Sequence, residues 1–208
     1  MKRMRRREFI LATGGTLLAS ATRLWADHHT VSAYPLVVEF DLGSLQGPYT
    51  RVEDFYIRNH YSAPESAPAS LRIEGEVEHP RQLTPESLNS LRQREIGAVL
   101  ECAGDPVKAV SLVSDGAWRG WSLGEVVSLV RPESGGKFLH LFGQDGFSRS
   151  VPMDRAMADG LLVTSLNGRP LFRNHGAPWR ALFPGWYGMD SVKWLARIVV
   201  ARNPLPPV

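Results

Sequence analysis

Leu100-Glu-Cys-Ala-Gly-Asp105 holds the only cysteine of this 208-residue chain, between an acidic residue and a glycine turn. One thiol makes no internal disulfide. A free cysteine reads first as a small buried hydrophobe. It reads second as a soft thiolate ligand, suited to a metal that shares its coordination with a sulfur-rich cofactor. The compartment bears on that choice, because a lone thiol in an oxidising environment is oxidised unless it is buried or ligated.

The N-terminus points to such a compartment. Lys2, Arg3, Arg5, Arg6 and Arg7 precede a moderately apolar run from Phe9 to Ala21, and small residues close it. This is the three-part layout of an export signal. At about 13 residues the run is short for a bilayer span. Arg6-Arg7-Glu8-Phe9-Ile10 fits the twin-arginine pattern. That route carries proteins already folded, often around a cofactor. Residues 1–26 are therefore expected to be a twin-arginine signal cleaved after Ala26, with Ala21 as the alternative site, the Tat translocon as export partner and the periplasm as destination. The leader takes six of the 24 basic residues and one of the 21 acidic ones, which leaves 18 and 20, a net of −2. That balance argues against nucleic acid as a partner. With 43% hydrophobic and 22% charged residues, the remainder suits one globular domain with a sizeable core.

Residues 27–50 read as an irregular N-terminal arm, 51–203 as the domain, and 204–208 as a proline-rich tail. Leu71 to Val77 alternates apolar and polar residues, as a half-buried strand does. Thr84-Pro85-Glu86 predicts a helix start, with an end near Arg94. Ala98 to Cys102 predicts a strand, and Ser114-Asp115-Gly116 a turn. Ser122-Leu-Gly-Glu125 predicts a capping box. Phe138 to Phe142 and Phe147 to Val151 predict a hairpin across Gly143-Gln-Asp-Gly146. A short helix is expected over Met153 to Asp159, a strand over Leu161 to Leu166 with a tight turn at Asn167-Gly168, and a last strand over Ser191 to Ala201. Short strands with brief helices between them make an α+β fold with mixed sheets.

Three further segments combine cationic or amide donors with glycines and aromatics: Arg58-Asn59-His60, Asn174 to Arg180, and Pro184 to Trp194. Glycine lets backbone N–H groups approach an anion closely. Arginine offers a bidentate fork and lysine a point charge. Such a set suits an extended anionic ligand with a phosphate and a planar heterocycle; the alternative is a loop-rich surface with ordinary arginines. No H-E-x-x-H, G-x-S-x-G or phosphate-loop motif is present.

In this order the segments resemble the sulfite-oxidase-type molybdopterin-binding domain shared by sulfite oxidases, plant-type nitrate reductases and periplasmic methionine-sulfoxide-reductase catalytic subunits. The matching pieces are Tyr56 to His60, Leu71 to Pro80, Leu100 to Gly104, Leu166 to Leu171, His175 to Arg180, and Pro184 to Gly188 leading to Ser191-Val-Lys-Trp194. The resemblance runs from about Phe55 to Val200. It implies a single-domain molybdopterin-binding fold and a molybdenum–molybdopterin cofactor. Cys102 would ligate the metal. Asn59 and His60 would contact the pterin, and His175 and Arg180 its pterin and phosphate side. Gly188, Ser191, Val192 and Lys193 would hold it through backbone and side chain. Arg58 would sit at the metal face and attract an oxyanion. The chemistry implied is two-electron oxygen-atom transfer, with electrons passing singly to a haem-containing partner, a membrane b-type or a c-type cytochrome.

Three departures stand out. Sulfite oxidases commonly continue the cysteine segment as C-A-G-N-R-R, whereas here Asp105, Pro106 and Val107 follow Gly104. A carboxylate there would repel an oxyanion, and the lost arginines remove a clamp. Phe147 stands where those enzymes carry a tyrosine. The chain also lacks their immunoglobulin-like dimerisation domain and any C-x-x-C-H haem motif, which weakens the expectation of that family's dimer. The two pocket departures shift the expected substrate toward a sulfoxide or an unassigned substrate. The alternatives are a sulfite dehydrogenase subunit, a cofactor-binding module without turnover, and an inert core cysteine.

Overall fold

The computed structural model describes residues 29–39, 47–105 and 111–206. The signal at 1–26, Pro106-Val107 and the last two residues of the tail lie outside the described residues.

The chain opens with β1 (His29–Ala33), β2 (Leu36–Glu39) and β3 (Ile57–Arg58), which form a small antiparallel sheet. The arm is thus not irregular over 29–39. Leu36-Val-Val is β-prone, and Val37 and Val38 pair with Arg58 and Ile57. Then follow β4 (Leu71–Gly75), β5 (Arg81–Leu83), β6 (Gln93–Glu101), β7 (Val113–Ser122) and helix α1 (Leu123–Ser128). The hairpin β8 (Phe138–Gly143) and β9 (Ser148–Pro152) leads into helix α2 (Met153–Asp159). Last come β10 (Leu161–Leu166), β11 (Arg169–Pro170), β12 (Arg180–Leu182) and β13 (Leu195–Ala201). One sheet runs β5-β4-β13-β8-β9, with β4 and β13 parallel. The other runs β11-β10-β7-β6, with β12 also on β10. Mixed sheets with few short helices are the expected architecture. Among the described residues no helix is long and apolar enough to cross a membrane.

Alternation fills two cores. Leu71 and Ile73 of β4, Leu139 and Leu141 of β8, and Ile198 and Val200 of β13 meet α1's Leu123, Val126 and Val127 in the first. Phe55, Leu100, Trp118, Val163 and Leu166 build the second, with Phe55 edge-on to Trp118 at 5.4 Å. Each buried indole removes on the order of 150–250 Å² from water, roughly 4–6 kcal/mol of transfer free energy. Trp179 and Trp194 also place their N–H groups on Leu195 O (2.9 Å) and Arg173 O (2.7 Å).

Several local expectations fail for identifiable reasons. The helix expected from Thr84 to Arg94 is one 3-10 turn, Glu86–Leu88. Its apolar residues are too few for a longer stripe, and from Gln93 onward β6 pairs with β7 along nine residues. Ser114-Asp115-Gly116 is not a turn but lies within β7. There Asp115 accepts the Thr50 N–H (3.1 Å) and hydroxyl (2.9 Å). Gly116 gives Leu166 room, since a Cβ would stand 2.4 Å from its Cδ1. Ser122 makes no side-chain cap; Leu123 N donates to Gly160 O instead (2.8 Å). The last strand starts at Leu195, because Trp194 sits at φ 48° and interrupts the extended run from Ser191.

Candidate functional site

A cavity of about 370 Å³ opens where the ends of the three sheets meet. All ten residues singled out in the sequence line it: Arg58 at the end of β3 with Asn59 and His60 after it, Cys102 after β6, His175, Arg180 of β12, and Gly188, Ser191, Val192 and Lys193 before β13.

Cys102 is partly buried, and its Sγ accepts the Gly104 N–H at 3.4 Å. Its own N–H donates to Leu112 O (2.9 Å). Asp105 pins the same loop: its Oδ1 accepts the N–H groups of Ser111 (2.9 Å) and Leu112 (2.8 Å). The carboxylate expected to repel an oxyanion is therefore engaged by backbone, and Asp105 does not line the cavity. Among the described residues no three His, Cys, Asp or Glu side chains gather as a metal site. A metal here would need Cys102 and ligands from a cofactor.

The inner wall carries two cations without carboxylate partners among the described residues. Arg180 is buried and donates to Ser191 O (2.6 Å), His175 O (3.3 Å) and Ala181 O (3.4 Å). Burial pushes its pKa down to about 10. Lys193 donates to Asn59 Oδ1 (2.5 Å) and Asn174 O (2.8 Å). Burial, then repulsion by Arg180, holds its pKa well below the ordinary lysine value. Asn59 Nδ2 is buried with no partner among the described residues. His175 is 4% exposed. Burial, reinforced by Lys193 and Arg180, lowers its pKa to about 3, so its ring is neutral at neutral pH. Gly176, at φ 98°, lets that turn approach both cations; a Cβ would lie 3.0 Å from Lys193 Cβ and 3.1 Å from Arg180 Cβ. Buried charge held only by neutral oxygens and the faces of Trp118 and Trp194 still costs several kcal/mol per ion, so the wall is built for an anion. The donor set fits a phosphate-bearing ligand: two cations, an orphaned amide and close glycine backbone.

The mouth differs. Arg58 and His60 are exposed, and Arg58 donates to Asn59 O (2.7 Å). The Phe147 ring lies 5.3 Å from that of His60. Arg149 is tied to Asp190 Oδ1 through Nε (3.0 Å) and Nη2 (2.9 Å). Asp145 Oδ1 accepts the Phe147 N–H (3.1 Å), and burial raises its pKa. Ser191 contributes less by side chain than expected: its Oγ accepts the Phe183 N–H (3.1 Å) while its carbonyl serves Arg180. Tyr56 and Asp145 also line the cavity, although nothing in the sequence alone marks either as a site residue beyond the place of Tyr56 two residues before Arg58.

A family model described as "Oxidoreductase molybdopterin binding domain" matches residues 60–207. Mitochondrial sulfite oxidase of Drosophila melanogaster is 34% identical over 179 residues, covering 74% of this chain and 31% of that protein. Sulfite oxidase of Gallus gallus is 34% identical over 183 residues, covering 74% and 40%. An NADH nitrate reductase of Ulva prolifera is 31% identical over 186 residues, covering 75% and 22%. The chain thus spans between about a fifth and two fifths of these curated relatives. The crystal structure of the sulfane dehydrogenase SoxCD from Paracoccus pantotrophus superposes with a TM-score of 0.81 at 25% identity, covering 90% of this chain and 53% of that one.

Proposed function

Because the chain belongs to the oxidoreductase molybdopterin-binding domain family, we propose that it binds molybdenum–molybdopterin in this cavity and acts as an oxygen-atom-transfer enzyme, with sulfoxide reduction as its reaction. The observation that carries the reading is the inner wall: Arg180 and Lys193 with only neutral partners, and an orphaned Asn59 amide, in one cavity with the sole thiol. Cys102 would ligate the metal through its thiolate. Arg180, Lys193 and Asn59 would take the anionic end of the pterin cofactor. His60 and His175 would flank the pterin, and Gly188, Ser191 and Val192 would line it with backbone. When bound, the cofactor supplies the two-electron redox chemistry and the exchangeable oxygen; the protein orients it and sets the local electrostatics.

The mouth sets the substrate. With Arg149 neutralised by Asp190, Arg58 is left to attract an S=O oxygen through a single cation. Phe147 brings an apolar ring where a phenol would favour an oxyanion. A neutral sulfoxide suits this mouth better than a sulfite dianion. Its reduction consumes two protons and two electrons and releases the sulfide and water, with a haem cytochrome supplying the electrons. The arginine pair of the leader supports Tat export to the periplasm. A second reading, a sulfite or sulfane dehydrogenase, gains from the engagement of Asp105 by Ser111 and Leu112 N–H groups, which removes one source of repulsion.

The test is metal content. The full-length chain, produced in a molybdenum-replete bacterium, should carry about one molybdenum and one pterin; Cys102→Ser should keep pterin and lose turnover. With a reduced dye the wild type should consume methionine sulfoxide. Sulfite-dependent cytochrome reduction without sulfoxide turnover would replace the reaction by the second reading. Folded protein with neither metal nor pterin would falsify the enzyme assignment.

A further inference from the structure

Tyr56 is 6% exposed, lines the cavity, and has no side-chain hydrogen bond to any described residue. Its backbone is fixed, since its N–H donates to Ser114 Oγ (3.1 Å), and its ring stacks against Phe55 at 5.8 Å. The hydroxyl packs against Gly188, where an added Cβ would stand 2.8 Å from the oxygen and 3.1 Å from Glu101 O. Gly188 is thus the residue that leaves the phenol its place.

The charges around it define what the hydroxyl can do. Arg180 attracts its oxygen, while Cys102, Asp105 and Glu101 act against its ionisation, and burial keeps the proton on. Arg180 donates hydrogen bonds and cannot accept one. The hydroxyl has no acceptor among the described residues and is open to the cavity that Tyr56 lines, whereas a tyrosine hydroxyl in a largely buried ring usually finds a partner. The mouth residue Phe147 offers no hydroxyl that could substitute.

We propose that Tyr56 is a cofactor-binding residue: its hydroxyl donates a hydrogen bond to an acceptor atom of the anionic pterin cofactor, beside Gly188. The acceptor belongs to the cofactor and not to the substrate, because the hydroxyl packs against Gly188, which would line the pterin, whereas Arg58 and His60 of the mouth are exposed. The proposal rests on the cofactor assignment made above.

The experiment compares wild type with Tyr56→Phe, which keeps the ring and removes only the hydroxyl. Three quantities are read: pterin released per hour from the purified holoprotein, the melting temperature of cofactor-free protein, and KM for methionine sulfoxide. The expected result is pterin release about tenfold faster, the loss typical of a hydrogen bond to a charged group, with cofactor-free melting and KM unchanged. Pterin release within twofold of wild type overturns the proposal. So does an unchanged release with a raised KM, which would move the donor to the substrate. A melting temperature of cofactor-free Tyr56→Phe lowered below that of cofactor-free wild type would reduce Tyr56 to a packing residue and also overturns it. Wild-type protein without any pterin sinks the cofactor assignment itself; retained pterin in both proteins sinks only the Tyr56 role.

Discussion

The inner wall of the cavity and its mouth both carry cations, but they treat them oppositely. At the mouth Arg149 has Asp190 as a close carboxylate partner, and the pair is partly solvated, with side chains 30% and 14% exposed. On the inner wall Arg180 and Lys193 meet carbonyl and amide oxygens and the Trp118 and Trp194 rings, with no carboxylate partner among the described residues. A cation paired at the surface is a local structural device. A buried cation left with neutral partners marks where a charge from outside the chain belongs.

The sharpest break of that contrast is Arg180→Met. It removes the buried fork and leaves His175 O, Ala181 O and Ser191 O without their donor. Pterin content should fall below about a tenth of wild type, and cofactor-free protein should lose about 1–3 kcal/mol in urea unfolding. Pterin content close to wild type would show that the inner wall is not the anion site.

His175 gives the next effect. Its folded-state pKa of about 3 lies below the 6.5 of the unfolded chain. The stability allowed by its neutral ring is therefore complete above pH 6.5 and is lost as pH falls toward 3. Between pH 7 and 4.5 the cofactor-free wild type should lose roughly 2–3 kcal/mol more than His175→Gln, read from urea midpoints. Parallel pH curves for the two proteins would remove His175 from the buried wall.

Arg149→Met should do less. It breaks one partly exposed ion pair, worth at most about 1 kcal/mol, and should leave pterin content unchanged. A loss of pterin comparable to that of Arg180→Met would erase the distinction between wall and mouth.

The sequence made some of this legible and hid the rest for local reasons. The β8–β9 hairpin and α2 follow from alternation and turn chemistry alone, and Met153 to Asp159 came out to the residue. Asn167-Gly168, both at positive φ, form the expected tight turn. β7 was obscured because Asp115 and Gly116 carry turn residues for other ends: a tie to Thr50 and clearance for Leu166. The short β12 bearing Arg180 has no periodicity to read and exists because β10 pairs with it. The grouping of the ten site residues came from family resemblance, since they arrive from four separate stretches of chain. The opposite treatment of Arg149 and Arg180 was not legible at all, because it depends on which partner folds against each guanidinium.

Asp145 gives the smallest effect and the finest test. It is the carboxylate that most opposes the lowered pKa of Lys193, so it could be read as the missing counter-charge of the inner wall. Its own pKa, however, is raised by burial more than Lys193 and the neighbouring N–H groups lower it. The charged form is thus held at a cost in the cofactor-free protein. That cost is present above the raised pKa and vanishes as pH falls below 3.8, where the side chain is neutral in both states. Asp145→Asn retains an oxygen for the Phe147 N–H and removes the charge. At pH 7 it should stabilise cofactor-free protein by less than about 1 kcal/mol, after solvent screening of a half-exposed group, with the difference fading below pH 4. Pterin should be held as tightly as in wild type or more tightly, because one negative charge no longer competes for Lys193. Weaker pterin retention would make Asp145 part of the binding wall, and the unpaired cations would then not be unpaired at all.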